Sequence, residues 1–240
     1  MHFLYNQKEK IKGGYHNEYK ILSGQDLAGH GRQSDPAKEI WHWGVRCYAS
    51  CDLYNWEDKG IIIPPEPDDE TSSLHPTSYM DRPHIIYNAR TKKFVCWLKI
   101  MNKDNTQSET VLTADHILGP YTKVREGLRP LGMSAGDFDL AVADDGKAYY
   151  FFERVHSETI IADTWHGPYT VQGNPHVNDP TNTSFHSQIS SVFKVQGKKD
   201  LYIAAADRWL PLRFEGDRVY IDWKDEWSLD EYEDAPIRTR

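Results

Sequence analysis

Short apolar runs rich in β-branched and aromatic residues alternate along the chain with glycine, proline, asparagine and aspartate. The clearest of these runs are residues 84–87, 94–98, 148–152 and 201–205. Runs of this length that are bounded by turn-forming residues are typical of β-strands, and strong helical periodicity is nearly absent. The pattern therefore predicts an all-β fold.

Two sequence elements alternate and repeat. The first is a strand, a short turn that contains lysine, and an aromatic strand; it spans residues 85–98, 140–152 and 190–204, with turn residues Lys93, Lys147 and Lys198. The second is a strand that ends in aspartate, followed by a turn and another strand; it spans residues 48–56, 112–122 and 160–170. Together they form a four-stranded antiparallel unit of about fifty residues.

Matching four-stranded blocks indicate the blades of a β-propeller, because a sandwich or barrel does not normally repeat such a block. We expect one propeller domain over residues 1–240, with about four recognisable blades. Complete blades are predicted at 85–124 and 138–171, a third from 189 to 223, and a half blade at 44–63. Residues 1–43 are expected to form an irregular or partial first blade, 64–77 an acidic surface linker, and 225–240 a charged tail.

Polar residues stand near the start of the first strand of each complete block. Asp81, Asp137 and Gln188 precede the turn lysine of their blocks by twelve, ten and ten residues. The first strands of propeller blades line the central axis, so these side chains are expected to surround one cavity. The alternative is that Asp81 pairs with Arg82 or another cation and that Asp137 and Asp139 bond turn amides.

Charge and composition narrow the possible ligands. The 240 residues include 28 Lys+Arg and 36 Asp+Glu, a formal net charge of −8, which argues against nucleic acid as the main partner. Aromatic residues make up 12% of the chain. Carboxylates and amides bind sugar hydroxyls, and aromatic faces cover pyranose rings, so a cavity of this composition suits a carbohydrate.

Cysteine content and hydropathy exclude other classes. The three cysteines, Cys47, Cys51 and Cys96, are too few for a disulfide scaffold, and they lack the partners of a zinc site. No apolar run reaches the roughly 20 residues of a membrane-spanning helix. The first residues contain no stretch of signal-peptide length, so the chain as written is expected in the cytoplasm, although its compartment stays open.

At these positions the sequence resembles glycoside hydrolase family 43, within it the exo-β-1,3-galactanase group. The resemblance covers about residues 44–227 and rests on Gly-Val-Arg-Cys-Tyr (44–48), Asp-Arg-Pro-His (81–84), Gly-Asp-Phe-Asp (136–139), Ser-Gln (187–188) and Asp-Arg-Trp (207–209). It implies a five-bladed β-propeller and hydrolysis of glycosidic bonds, usually with inversion. It implies no cofactor beyond a calcium ion that assists some members.

The resemblance also implies roles for individual residues. Asp137 matches an aspartate that orients the general acid and tunes its pKa, and Gln188 matches a glutamine that replaces a carboxylate base. Asp81, followed by Arg82, stands where the group usually has glutamate, so its carboxylate is one methylene shorter. These residues are the predicted catalytic and sugar-binding set.

The general acid of the family is not recognisable, and about one blade is missing between the blocks of Asp137 and Gln188. Glu153 is the nearest replacement, although a glutamate beside an arginine more often forms an ion pair. His186 and Trp209 are further predicted substrate-binding residues. No metal-binding spacing is found among the histidines.

Three functions remain compatible with the sequence. The first is a glycoside hydrolase that acts on β-linked galactan or a related plant polysaccharide side chain. The second is a non-catalytic relative that binds sugar without cleaving it, which the missing acid favours. The third is a propeller scaffold for protein partners. The sugar, the linkage, the stereochemistry and the oligomeric state are not fixed by these patterns.

Overall fold

A computed structural model of the chain shows β-sheets connected by turns and loops. It describes residues 18–22, 40–50, 55–134, 136–143, 145–153, 157–162, 165–187, 189, 191–195, 197–206 and 208–235. The chain divides into two compact units, Met1–Ala135 and Gly136–Arg240. Each unit contains two sheets.

The first unit contains a three-stranded and a four-stranded antiparallel sheet. In spatial order, the strands of the first sheet are β1 (Glu18–Leu22), β2 (Val45–Ser50) and β3 (Glu57–Ile63). Those of the second are β4 (Tyr79–Asn88), β5 (Lys93–Met101), β6 (Gln107–Ala114) and β7 (Thr122–Leu128). A short 3-10 turn, Pro130–Gly132, follows β7.

The second unit also contains two sheets. The first consists of β8 (Phe138–Val142), β9 (Ala148–Glu153), β10 (Ser157–Ala162) and β11 (Thr170–Gly173). The second consists of β12 (His176–Val177), β13 (Ser191–Lys194), β14 (Tyr202–Ala205), β15 (Trp209–Glu215) and β16 (Arg218–Asp222), where β12 adds in parallel beside β16. The prediction of an all-β chain built from four-stranded antiparallel blocks is confirmed.

The central strands are buried because each sheet is covered on its apolar face. In β5, seven consecutive residues from Phe94 to Ile100 are buried, and they include the apolar run 94–98 that the sequence shows. One core cluster lies between the two sheets of the first unit and includes Val45, Ile63 and Leu98. A second cluster lies in the other unit and is centred on aromatic and aliphatic residues of β9, β14 and β15.

The repeated Gly-Pro-Tyr-Thr sequence forms the same turn before β7 and before β11. Gly119 and Gly167 have φ values of +85° and +84°, a left-handed conformation that favours glycine. The hydroxyl of Tyr121 donates a hydrogen bond of 2.9 Å to the carbonyl of Ile117, and Tyr169 makes the same contact four residues upstream. The sequence repeat thus corresponds to a repeated structure.

The acidic segment 64–77 is more ordered than a solvated linker. Its Asp68, Asp69 and Glu70 are exposed as expected, but Leu74 is 3% exposed and joins the core of the first unit. Glu66 forms an ion pair of 2.8 Å with Lys123 of β7. The segment therefore packs on its sheet, because one apolar side chain anchors it among the charges.

The charged tail also makes defined contacts as far as residue 235. A 3-10 turn spans Leu229–Glu231 and has a capping box formed by Ser228 and Glu231. Lys198, one of the repeated turn lysines, forms an ion pair of 2.6 Å with Asp234. This part of the tail therefore pairs with the second unit through exposed charges.

Candidate functional site

Asp81 and Arg82 lie at an irregularity within β4, the first strand of its sheet. Asp81 is paired with Lys99 of β5, and regular pairing resumes at His84, so Arg82 and Pro83 together face one residue of β5. Arg82 has a φ of +48°, which is uncommon for a residue with a side chain. Bulges of this kind redirect side chains and are frequent near active sites. Asp81 is thus the third residue of the strand rather than the residue before it.

A row of charged residues crosses this sheet at the same level. The ammonium of Lys99 lies 3.7 Å from a carboxylate oxygen of Asp81, and Lys99 is also the register partner of Glu109 in β6. Lys99 and Glu109 are 8% and 1% exposed, whereas the side chain of Asp81 is 24% exposed. Pairing of Asp81 with a cation is therefore confirmed, the cation being Lys99. The carboxylate is held from one side and accessible to a ligand hydroxyl from the other.

Asp137 and Asp139 flank the start of β8 and differ in environment. Asp137 is half-buried and directly precedes the strand. Asp139 is 1% exposed, and its carboxylate accepts a hydrogen bond from the backbone N–H of Val192 in β13. This bond joins β8 and β13, which are edge strands of the two sheets of the second unit. Asp139 is therefore a structural residue, and Asp137 is the aspartate at the edge of the sheet.

Glu153 is the last residue of β9, and its backbone position relates it to Asp137. The ladder between β8 and β9 ends with Phe138 opposite Phe152. Asp137 directly precedes Phe138, and Glu153 directly follows Phe152. The two residues therefore stand opposite each other, one step beyond the last pair of the ladder. The side chain of Glu153 lies outside the described part of the structure, as does the whole of Gln188.

His186 lies in a tightly wound loop, residues 178–187, that leads toward β13. Ser184, Phe185 and His186 have φ values of +60°, +58° and +57°, so three successive residues are left-handed. The ring of His186 contacts the hydroxyl of Thr183 at 3.1 Å, and the side chain is exposed. The loop positions this imidazole at the surface of the second unit.

Asp179 holds the conformation of this loop. Its carboxylate accepts hydrogen bonds from the backbone N–H groups of Thr181, Thr183 and Phe185 at 2.8–3.0 Å. Although desolvation opposes it, these bonds together with that from the Thr181 hydroxyl lower the pKa of Asp179. The carboxylate therefore stays ionised and keeps the loop wound.

His176 is buried below the same loop. Desolvation lowers its pKa from 6.5 to about 4, although the nearby charge of Asp179 opposes this effect. Its ring packs edge-on against Phe185 with a centroid separation of 5.1 Å. His176 is therefore neutral at physiological pH and serves the packing of the loop.

Trp209 begins β15 and presents its ring to solvent. It is 57% exposed, and its ring meets that of Phe193 in an edge contact at 5.7 Å. Its carbonyl accepts a hydrogen bond of 2.8 Å from the indole N–H of Trp227. An exposed indole supported from behind can cover the apolar face of a sugar ring.

The described part of the chain gives little support for a metal site, a reactive thiol or a membrane-spanning helix. Within it, no three His, Cys, Asp or Glu residues are grouped so that they could hold a metal ion. Burial raises the pKa of the Cys47 thiol to about 12 and also raises that of Cys96, so neither thiol is reactive. The described residues include no helix that is long and apolar enough to cross a membrane.

No protein-family model and no curated protein matches the sequence, but solved structures do match the fold. A family 43 β-1,3-galactosidase has a TM-score of 0.52 and 23% identity, and the match covers 95% of this chain and 61% of the galactosidase. An exo-β-1,3-galactanase from Phanerochaete chrysosporium with galactose has a TM-score of 0.50 and 17% identity, covering 88% and 61% of the two chains. A thermostable family 43 glycoside hydrolase has a TM-score of 0.53 and 15% identity, covering 99% and 72%.

The chain has the fold of these enzymes. They are five-bladed β-propellers, which confirms the predicted fold class and the resemblance noted in the sequence. The chain spans about three-fifths of the length of the first two of them. Its described residues form four sheets rather than five. At these identities the likeness shows the fold.

Sequence reasoning missed three residues of these regions. Lys99 is a charged position in a strand that otherwise reads as apolar core, which was the available signal, whereas Glu109 stands in a strand of mixed composition that gave none. Asp179 stands in Asn-Asp-Pro-Thr-Asn-Thr (178–183), a composition typical of side-chain-capped turns. Lys99 pairs with Asp81, and Asp179 holds the loop that carries His186, two residues that the sequence had singled out; Glu109 is the register partner of Lys99.

Proposed function

We propose that the protein is a glycoside hydrolase that acts on β-linked galactan or a related polysaccharide side chain. The observation that carries the proposal is the fold shared with solved β-1,3-galactosidases and galactanases of family 43. Two of the segments that resemble the family in sequence lie at the first strands of their sheets. Asp81 and Arg82 lie in β4, and Asp137 directly precedes β8.

Asp137 and Glu153 are the proposed catalytic pair in the second unit. Residues opposite each other at the end of an antiparallel ladder have Cβ atoms roughly 4.5–5.5 Å apart. Two carboxyl groups held close together do not readily ionise at the same time, so one of them can keep its proton. Glu153 would then donate a proton to the leaving oxygen while Asp137 remains ionised. In this proposal Glu153 takes the role of the general acid that the sequence pattern lacks.

Gln188 and Asp81 complete the proposed set. An amide does not accept a proton at neutral pH, but its oxygen can hold a water molecule for attack on the anomeric carbon. The carboxylate of Asp81, fixed by Lys99, would accept hydrogen bonds from sugar hydroxyls. His186 and Trp209 are proposed contacts of the sugar, because both are exposed at the surface of the second unit.

Release of galactose from β-1,3-galactobiose and β-1,3-galactotriose tests this proposal. We expect Glu153→Gln to lower the rate about 100-fold or more, which is the usual contribution of a general acid. Asp137→Asn is expected to lower it comparably. Asp145→Asn is the matched control, since Asp145 caps an exposed turn in the same sheet. Release that survives Asp137→Asn would remove Asp137 from the catalytic role.

The second candidate is a sugar-binding relative without hydrolytic activity. The four described sheets, against five blades in the neighbours, favour it. Calorimetric binding of galactotriose without any released galactose would establish this function, provided that binding weakens in Asp137→Asn. If the protein neither binds galactotriose nor releases galactose, both functions are contradicted, and a protein-binding scaffold remains.

A further inference from the structure

The loop 178–187 contains a chain of side-chain hydrogen bonds that ends on the ring of His186. The hydroxyl oxygen of Thr181 lies 2.5 Å from a carboxylate oxygen of Asp179. The hydroxyl oxygens of Thr181 and Thr183 are 2.6 Å apart, and that of Thr183 lies 3.1 Å from Nδ1 of His186. Four side chains of one loop are therefore linked in series.

The charge of Asp179 fixes the position of each proton in this chain. Although desolvation opposes it, hydrogen bonds within the loop lower the pKa of Asp179, so its carboxylate is ionised and can only accept. Thr181 then donates its single hydroxyl proton to Asp179, and Thr183 donates its own to Thr181. Thr183 has no proton left for His186. Nδ1 of His186 therefore carries the proton and donates it to the oxygen of Thr183.

The neutral ring of His186 consequently has its lone pair on Nε2. Among the residues that the structure describes, the other hydrogen bond of His186 is made by its backbone N–H, to the same Thr183 oxygen at 3.1 Å. The side chain is exposed, so water has access to the ring. An imidazole that is oriented through Nδ1 and open at Nε2 is the arrangement of a histidine general base.

The loop lies at the end of the sheet that carries a proposed sugar contact. Phe185 packs edge-on against Trp223 with a centroid separation of 5.2 Å, and the guanidinium of Arg208 lies 4.7 Å from the centroid of the same Trp223 ring. Arg208 directly precedes Trp209, which begins β15. His186, the residue after Phe185, is therefore carried to the same end of the sheet as Trp209.

An attacking water molecule must lose a proton during hydrolysis. Gln188, two residues after His186 in the sequence, is proposed to hold this water, but its amide does not accept the proton. We propose that Nε2 of His186 accepts it, so that His186 is the general base of the hydrolysis and Thr183 is its positioning residue. The role of His186 rests on the proposed function, because a base serves only where the glycosidic bond is cleaved.

Each proton of the step has a defined donor and acceptor. The water oxygen bonds to the anomeric carbon as the glycosidic C–O bond breaks, and Glu153 gives its proton to the leaving oxygen. The proton of the water passes to Nε2 of His186, which makes the ring an imidazolium. Nδ1 keeps its proton and its bond to Thr183. Loss of one proton from the ring and uptake of one by Glu153 then restore both groups.

The tautomer of His186 can be measured without a substrate. In mildly alkaline buffer, where histidine rings are neutral, long-range proton–nitrogen correlation NMR distinguishes protonated from unprotonated ring nitrogens. We expect a proton on Nδ1 and none on Nε2, the reverse of the preference of free histidine. Thr183→Val should abolish this preference, and Thr183→Ser, which keeps the hydroxyl, should retain it. A proton on Nε2 in the wild-type protein would overturn the proposal.

Release of galactose from β-1,3-galactotriose tests the catalytic role. We expect His186→Ala to lower the rate about 100-fold, with an unchanged melting temperature because the side chain is exposed. Added imidazole should restore part of the rate by accepting the proton of the water. His166→Ala is the matched control, because His166 is an exposed histidine in a turn of the same unit, and it should leave the rate unchanged.

Thr183→Val tests the positioning of the ring. We expect it to lower kcat about tenfold or more, since the wrong tautomer has no lone pair on Nε2, while KM is unchanged. Thr183→Ser should restore kcat. A rate that Thr183→Val leaves unchanged would overturn the role of the hydrogen-bonded chain.

The outcomes separate the base from the proposed function. Wild-type release that His186→Ala does not slow would overturn the base and leave the hydrolase intact. A slow His186→Ala protein that imidazole does not rescue would also overturn the base, and His186 would then be a sugar contact alone. No release by the wild-type protein would overturn the proposed function, and the base with it.

Discussion

The carboxylate of Asp139 in β8 accepts a hydrogen bond from the backbone N–H of Val192 in β13. Asp139 is 1% exposed and Val192 is 4% exposed, so the bond is shielded from water. It connects β8, at the edge of one sheet, to β13, at the edge of the other. The distance along the chain between the two residues is large, and the bond therefore fixes how the two sheets of the second unit meet.

Replacement of Asp139 by alanine is expected to lower the free energy of unfolding by about 2 kcal/mol. The change removes a buried side-chain acceptor and leaves the buried amide of Val192 without this partner. Asp139→Asn keeps an acceptor oxygen and should therefore lose less stability than Asp139→Ala. Urea unfolding followed by tryptophan fluorescence measures both, with Asp145→Ala as the exposed control. Equal losses of stability in Asp139→Ala and in Asp145→Ala would contradict the structural role assigned to Asp139.

His42 and His176 are expected to make the protein sensitive to acid. His42 is 0% exposed; its Nε2 lies 2.9 Å from the carbonyl of His75, and its Nδ1 accepts the N–H of Gly44 at 3.0 Å. Burial lowers its pKa from 6.5 to about 4, as it does for His176. Both rings are thus neutral in the folded state, and protonation of Nδ1 would break the bond to Gly44.

The direction of this pH dependence follows from proton binding. Between pH 6.5 and 4 the unfolded chain binds a proton at each histidine and the folded chain does not, so stability falls as the pH is lowered. The loss is expected to reach about 3 kcal/mol for each residue. Unfolding free energies measured across this range should change less steeply in His42→Gln and in His176→Gln. A slope that neither variant reduces would contradict this explanation.

The repeat was predictable from sequence because it is local. Each block consists of short apolar strands and turns whose residues are close along the chain, and the Gly-Pro-Tyr turns at 119–121 and 167–169 fold identically. The blade boundaries follow from these signals. The edge strand β12 was not predicted, because two residues that pair in parallel with β16 have no periodic pattern of their own.

The contacts of the site were less predictable because they join distant residues. Sequence placed Asp81 near a ligand but did not identify Lys99, whose charge interrupts an apolar strand. It could not separate the roles of Asp137 and Asp139, since only the position of Val192 shows which carboxylate is used for packing. The order of residues 64–77 depends on Leu74, one apolar residue among many polar ones.

Substitution of Gly44 tests how closely the backbone at the start of β2 approaches the backbone of Ile63. It has a φ of +94°, and a Cβ atom at this position would lie 2.4 Å from the carbonyl oxygen of Ile63. Gly44→Ala should therefore destabilise the first unit strongly, by about 3 kcal/mol or more. Gly60 has a φ of +82° and open space around it, so Gly60→Ala isolates the cost of the backbone conformation alone. Thermal unfolding of the two variants should differ clearly; equal midpoints would contradict the steric argument.

Lys99 is expected to hold two carboxylates that are otherwise costly to bury. Lys99→Met removes the ammonium that lies 3.7 Å from the Asp81 carboxylate and leaves the buried Glu109 beside an apolar register partner, so we expect a loss of about 3 kcal/mol in the free energy of unfolding. The double variant Lys99→Met/Glu109→Gln should recover part of that loss, because one buried charge is removed with its partner. Lys103→Met, an exposed lysine in the next turn, is the control for urea unfolding. If the double variant is as unstable as the sum of the two single variants, the charges across β5 and β6 act independently and this explanation is wrong.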